Sequence, residues 1–553
     1  RYMSKRLIIA ILALFMTGVA FAQLVPTSQM TGKVTDTTGA PLPGVSVEAK
    51  SPRLVGTATA VTDGDGNYRL FSLPSGVYEV TFTLQGFKTL IRQEIVVQLS
   101  QTITLNATLE QAALEEQITV IGQSPLIDVK STVKSQTMTK EVFMALPRNR
   151  SFDGLLSTVP GVQYDNRTGG LSVDGATGTE NMWYMDGADI TNVHIGTNDQ
   201  SAVMELVDEV KVTASGYNAE FGGSMGGVVN VITRSGGNAY HGDVSFYYND
   251  NTRFMQGKSR EYFRWSPLDS NVPEYVNSDD LYYNGGNSRD DYKRFEGVFT
   301  LGGYILKDKL WFFGSINPIY SRTWANRFFT TDDTNPDPDV SNAPYYPFFN
   351  KNLTFNGQMK LTAAPVRGLR VSASYVNNWS NYRGALPSIL GSGTKTYEWG
   401  REGYDYPNWS AAFLADYSAS NNLLISLRGG YHMSNQTNQQ IANRFTTWYY
   451  SEPNYMFEDD PFFLDNPDLV GPAGTANYGG TWIVLDREKY EKFSGNLDLS
   501  YFVSLAGDHA WKAGLQVIRD QEDVLNGGVS PHVNIFWDQT CTALEGYGVP
   551  PTR

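Results

Sequence analysis

Residues 353–362 read LTFNGQMKLT, and two faces separate along them. Leu353, Phe355, Met359 and Leu361 alternate with Thr354, Asn356, Gln358, Lys360 and Thr362. A period of two is that of a strand, whose successive side chains point to opposite sides. One face suits lipid and the other a wet lumen. The pattern returns at Leu369, Val371, Ala373 and Tyr375, and at Phe493, Leu497, Leu499, Tyr501 and Val503. A globular sandwich would alternate too, so the joints decide. About nine strands are expected in this region, at 240–250, 292–305, 310–323, 351–363, 369–380, 408–418, 423–434, 490–503 and 510–523. Short turns fall at Lys307-Asp308-Lys309, Pro365 to Gly368, Ala419 to Asn422 and Leu505 to His509, and long polar, aromatic-rich connections lie between. Short turns on one side and long loops on the other are the parity of an outer-membrane β-barrel.

Composition agrees. The 553 residues include 53 Gly, 32 Tyr and 28 Phe with 18% charged residues, which leans towards several β-rich units. After residue 22 no apolar run reaches the about 20 residues of a membrane helix, so any span has to be a barrel. A mean hydropathy of −0.32 is compatible with that, because a barrel hides its lipid face in every second residue. The net charge of −14 and the lack of a basic stripe argue against nucleic acid as a partner. Cys541 is the single cysteine, which excludes an intrachain disulfide and a cysteine-based zinc site.

At the other end, Lys5 and Arg6 precede an apolar run from Leu7 to Val19, and Ala20-Phe21-Ala22 has the small-x-small pattern of a signal-peptidase site. Residues 1–22 are expected to be a signal peptide, with Met3 as the natural start. Residues 29–110 alternate in short runs, Val45, Val47, Ala49, then Tyr78, Val80, Phe82, Leu84, then Ile103, Leu105, Ala107, Leu109. Turn clusters between them predict about seven strands in two packed sheets. Asp63, Asp65 and Asn67 occupy the first ligand positions of an EF-hand loop, but Tyr68 stands where glycine makes the bend and Pro74 where a bidentate glutamate is required. A plain hairpin turn is expected there, and no metal site.

Residues 115–235 combine short extended and helical segments. Thr139 to Leu146 and Ser151 to Val159 read as helices, with Thr139 and Ser151 as N-caps and Pro147 and Pro160 as stops. Gly222, Gly223, Gly226 and Gly227 precede a strand from Val228 to Thr233 and are expected to make φ > 0 turns. Gly222 to Gly226 also fits G-x-S-x-G, the nucleophile elbow, but that motif needs a strand before the serine and a helix after it, whereas a β-branched strand follows. The same glycines lack the βαβ unit of a dinucleotide site. No catalytic residue or cofactor is assigned.

Longer strings carry a family resemblance. GKVTDTTGAPLPGVSVEA and TDGDGNYRLFSLPSGVYEVTF, within 29–110, closely resemble the carboxypeptidase-regulatory-like domain, a non-catalytic β-sandwich. GQSPLIDVKSTVKSQTMTKEVFMALPRNRSFDGLLSTVPGV, LSVDGATGTENMWYMDGADITN and VDEVKVTASGYNAEFGGSMGGVVNVITRSGGN resemble the plug of TonB-dependent receptors, Oar-like with a regulatory-like domain in front. FEGVFTLGGYILKDKLWFFGSINPIYSRT resembles the first barrel hairpin of that group. The implied fold is mainly β: an N-terminal β-sandwich at 29–110, a small α+β plug at 115–235, and at 238–553 the N-terminal part of a transmembrane antiparallel β-barrel. The family's barrel has about 22 strands, so about nine are expected to be a truncated barrel.

The resemblance implies active uptake of an unidentified ligand, an oligosaccharide, siderophore or peptide, across the outer membrane of a Gram-negative-type bacterium. It implies no enzyme activity. The partners would be outer-membrane lipid, the extracellular ligand, and TonB with its inner-membrane energising complex, with sandwich and plug on the periplasmic side. TonB contacts are made by β-augmentation, for which Glu116, Gln117, Ile118, Thr119 and Val120 have the right length and polarity. The alternative is that they form the first edge strand of the plug. Asn181, Trp183, Tyr184 and Asp186, in the stretch Asn181 to Asn198, are candidates to face ligand, Trp183 and Tyr184 by stacking or else by packing on the barrel wall. The rival functions are an outer-membrane adhesin or assembly protein and a soluble carbohydrate-binding protein.

Overall fold

Along 353–362 burial runs opposite to that of a soluble sheet. In the structure, a computed structural model, Asn356, Gln358, Lys360 and Thr362 are buried while Leu353, Phe355 and Met359 are exposed, Met359 at 55%. The structure describes residues 28–54, 56–99, 101–111, 117–121, 133–145, 150–217, 223–250, 261–265, 273–277, 290–327, 346–366, 368–384, 386, 403–420, 422–438, 447–450, 484–504, 508–528 and 532–535. The proposed signal peptide, Glu116 and Gly222 lie outside them.

The N-terminal unit contains β1 (Ser28–Asp36), β2 (Ser46–Lys50), β3 (Ala58–Val61), β4 (Asn67–Leu73), β5 (Gly76–Thr83), β6 (Thr89–Val97), β7 (Thr102–Thr104) and β8 (Ala107–Leu109). One sheet is built on β1, flanked by β4 on one side and by β7 and β8 on the other; the second runs β3-β2-β5-β6. The inward residues Val47, Tyr68, Tyr78, Val80, Phe82 and Ile103 meet in one core. Tyr68 is wholly buried, so its hydroxyl needs a partner, and it donates to the Leu105 carbonyl at 2.7 Å. The expected hairpin at Asp63 is instead a corner between sheets, since β3 and β4 belong to different ones. There Asp63 Oδ1 accepts the backbone N–H groups of Asp65 at 3.0 Å and Asn67 at 2.8 Å. A further strand, β9 (Gln117–Ile121), lies parallel to β6 at the end of the second sheet.

The plug comprises β10 (Lys134–Thr139), α1 (Lys140–Ala145), α2 (Asp153–Leu156), β11 (Val162–Tyr164), β12 (Leu171–Val173), β13 (Met182–Met185), β14 (Ala188–Asp189), β15 (Val207–Ser215) and β16 (Val228–Thr233). Its main sheet runs β10-β15-β16-β13-β14. Both helices are shorter than the sequence suggests. Ser151 does not cap α2, because Phe152 occupies that position, without a side-chain cap, and is itself buried. Burying that ring in the plug core prevails over local capping.

The large sheet contains β17 (His241–Asp250), β20 (Asp291–Leu306), β21 (Leu310–Arg327), β22 (Tyr346–Ala363), β23 (Leu369–Arg383), β24 (Gly403–Tyr406), β25 (Asn408–Ser420), β26 (Leu423–Asn438), β28 (Val484–Ser504) and β29 (Asp508–Gly528). Two short pairs stand apart, β18 (Glu261–Trp265) with β19 (Pro273–Asn277), and β27 (Thr447–Tyr450) with β30 (His532–Ile535). All neighbours in the large sheet are antiparallel. β24 and β25 both pair with β23 and β26, so they are one strand broken at Pro407, which has no N–H for the ladder. Counted so, the strands are those expected from the sequence, and the short joints fall where expected. The strands are longer, though. β28 and β29 have 21 residues each, against the about ten that cross a bilayer obliquely, and the excess lies at the long-loop end.

Candidate functional site

Three of the ion pairs that join plug and barrel wall set an acid of the plug against a base of the wall, while Arg150 of the plug and Glu296 of β20 pair in the opposite sense. Asp186 follows β13 and takes φ of +48°. Its carboxylate accepts from Lys360 Nζ of β22 at 2.8 Å and from the Thr233 backbone N–H at 3.0 Å. Asp189, in β14, receives Lys492 Nζ of β28 at 3.1 Å. Asp199 faces His432 Nε2 of β26 at 3.0 Å and accepts Ser434 Oγ and, at 3.0 Å, the Tyr406 hydroxyl. Asp186 and Asp189 are buried and the Asp199 side chain is only 7% exposed, and a buried charge is tolerated only when paired. Burial alone would raise the Asp199 carboxyl, but the hydrogen bonds and charge of His432 outweigh it and hold the group below the ordinary carboxylate range.

Beside this seam is a chamber of about 830 Å³, lined by Asp199, Tyr247, Tyr248, Tyr292, Thr354, Asn356, Asn378, Ser380, Tyr406 and Asn408. It lies in the half of the wall nearer the long loops. Arg150 closes one side: Nη2 donates to Glu205 at 2.6 Å, Nε to Glu296 at 3.0 Å, and the guanidinium stands 3.3 Å over the Tyr247 ring. Arg150 and Arg294 balance Glu296 and Asp199 on the lining, so the chamber carries no strong charge of either sign. The side-chain oxygens of Asn378 and Asn408 are buried without a hydrogen-bond partner among the described residues. Several phenol rings, with the amide and hydroxyl side chains of Asn378, Asn408, Thr354 and Ser380 on the lining, suit a ligand that offers hydroxyl or amide groups and flat apolar faces.

The plug residues expected to face ligand are all buried within the protein. Asn181 is buried; its Oδ1 accepts the Gly227 N–H at 2.7 Å and its amide donates to the Leu171 carbonyl. Trp183 belongs to the plug core, 6.4 Å from the Phe152 ring, and Tyr184 is equally enclosed. Asp186 fastens the plug to Lys360. The pair sits in a strand between two others and its rings point to opposite faces, Trp183 into the main plug core and Tyr184 against Val228. Of the four glycines, only Gly223 is shown with positive φ, at +92°. Gly226 and Gly227 instead permit close approach: a β-carbon on Gly227 would stand 2.7 Å from Val173 Cγ1, and on Gly226 2.6 Å from Asn181 Oδ1. Of the strand expected to contact TonB, Gln117 to Val120 lie in β9, whose backbone pairs with β6 of the sandwich and not with the plug.

Arg150, Asp199, Lys360, His432 and Lys492 went unrecognised as site residues. A signal existed for the wall residues, since Lys360 falls on the polar face of its strand, but which plug acid each base meets depends on the docking of two sheets.

The carboxypeptidase regulatory-like domain model matches residues 29–110. The TonB-dependent transporter Oar of Myxococcus xanthus is 28% identical over 93% of this chain and 51% of its own length. The TonB-dependent receptor P39 of Formosa agariphila is 29% identical over 41% of this chain and 21% of its own. The chain thus spans about half the length of the Oar protein it matches. Among solved structures, the outer membrane transporter YddB from Escherichia coli aligns over 72% of this chain and 50% of its own, at 14% identity and a TM-score of 0.47.

Proposed function

We propose that this chain, an Oar-like member of the TonB-dependent transporter family and so an outer-membrane protein rather than an enzyme, serves the uptake of a neutral, hydroxyl- or amide-rich ligand, foremost an oligosaccharide. The observation that carries the ligand class is the chamber between plug and wall, charge-balanced, phenol-lined and edged by the side chains of Asn378 and Asn408. Ligand would enter from the long-loop end, with sandwich and plug on the periplasmic side. Its contacts with Asp199, Tyr406 and Asn408 fall on the residues that join the plug loop to the wall, so occupancy biases the seam. TonB, bound to Gln117 to Val120, then supplies the pull that parts Asp186, Asp189 and Asp199 from Lys360, Lys492 and His432.

Uptake by cells carrying the full-length protein tests this. Fluorescent neutral oligosaccharides should accumulate only when TonB is present, and Asn378→Leu should weaken their binding about tenfold, the loss of one ligand hydrogen bond. Accumulation of a ferric catecholate in place of the saccharides would overturn the ligand class. Saccharide uptake that persists without TonB would overturn the transport reading. The adhesin alternative draws on the long projecting strands β28 and β29, and surface adhesion lost on shortening them, with uptake intact, would favour it.

A further inference from the structure

β9 is built onto the sandwich. Its residues pair in parallel with β6, Thr89 with Gln117, Ile91 with Thr119 and Gln93 with Ile121. It ends the sheet β3-β2-β5-β6-β9, and no strand follows it among the described residues. A strand has two hydrogen-bonding edges, and β6 occupies one of them. The other is a row of main-chain donors and acceptors already held extended, which is what an incoming strand requires.

The sandwich that carries β9 is itself clamped to the plug. The Leu99 N–H donates to Glu209 Oε1 at 2.8 Å, Lys211 Nζ donates to the Leu99 carbonyl at 3.1 Å, and Arg53 Nη1 meets Asp208 Oδ2 at 2.8 Å. Asp208, Glu209 and Lys211 all belong to β15, which lies between β10 and β16 in the plug sheet.

We propose that the sandwich presents β9 as an open sheet edge to which an extended strand of TonB adds, so that TonB becomes the next strand of the sandwich sheet while β9 stays seated on β6. The proposal rests on the reading of Gln117 to Val120 as the TonB contact. The regulatory-like domain then has two roles. It pre-orders the contact strand, and it delivers the pull to β15 through Arg53 and Leu99 as well as along the chain that links β9 to the plug. Pre-ordering lowers the entropy cost of association, so the strand on its sheet binds more tightly than the same residues free.

The test locks β9 in place. Ile91→Cys and Thr119→Cys are introduced together with Cys541→Ser in the full chain, purified in detergent and oxidised; paired strand positions are close enough for a disulfide. Capture of the TonB periplasmic domain is then measured for the oxidised chain, the reduced chain and a free peptide of residues 113–125. The oxidised chain should bind within about twofold of the reduced one and at least about tenfold more tightly than the peptide. If the bond forms and capture falls tenfold until reductant restores it, TonB displaces β9 from β6 and the proposal is overturned, with the contact reading intact. Failure of the disulfide to form overturns it as well, since β9 is then not seated on β6. If neither chain nor peptide captures TonB, the contact reading fails and takes the proposal with it.

Discussion

Lys360 shows how one side chain serves two structures. It stands on the polar face of a membrane strand, yet its ammonium is buried against Asp186 and the Thr233 carbonyl of the plug. Removing one member of such a pair strands a buried charge, at a cost of about 3–5 kcal/mol. Lys360→Met should therefore speed hydrogen exchange in β14 and β16 by about a hundredfold or more, and adding Asp186→Asn should recover much of the loss. Unchanged exchange in the single variant would mean that the pair contributes nothing to seating the plug. Asp186 was legible as an acid in a polar stretch, but its partner lies 174 residues further along the chain.

At the level of elements, the inward face of β26 shows why the wall is polar inside: Ser426, Arg428, His432 and Ser434 are buried in alternation while Leu427 is 46% exposed. The period of two was plain in the sequence because strand after strand of the sheet repeats it, β22 and β26 most clearly. Element boundaries were less plain, since the excess length of β28 and β29 stands outside the bilayer, where nothing demands an apolar face. The glycine loop before β16 was recognised, with another physical reason than turn geometry for two of its members. Gly227→Ala would press a methyl group against Val173 and should cost about 1–3 kcal/mol, seen as a lower denaturant midpoint for the plug. A midpoint equal to the parent's would show that β12 can retreat.

Across the whole molecule, the sandwich stands at the short-turn end of the sheet, where Phe71 packs 5.4 Å from the Phe502 ring and Arg69 lies over it at 4.8 Å. Its junction with the plug is sensitive to acid. Burial raises the carboxyls of both Asp208 and Glu209, with Arg53 opposing at the first, and Ser75 and the Leu99 N–H opposing at the second. A carboxyl raised in the docked state takes up a proton there more readily than when free. Docking is then weakest when both are charged and strengthens as pH falls from neutral towards the ordinary carboxylate range near about 4. Exchange protection of β15 and of residues 97–99, corrected for the intrinsic rate, should rise as pH is lowered from neutral to about 4, and a fall would contradict this account. The sequence by itself determined the order of units, the two-sided strands and the alternation of short and long joints, because each follows from local periodicity and turn chemistry. Only the tertiary structure decided that Trp183 and Tyr184 are core, that plug acids meet wall bases, and that β9 belongs to the sandwich, because each depends on surfaces brought together from distant parts of the chain.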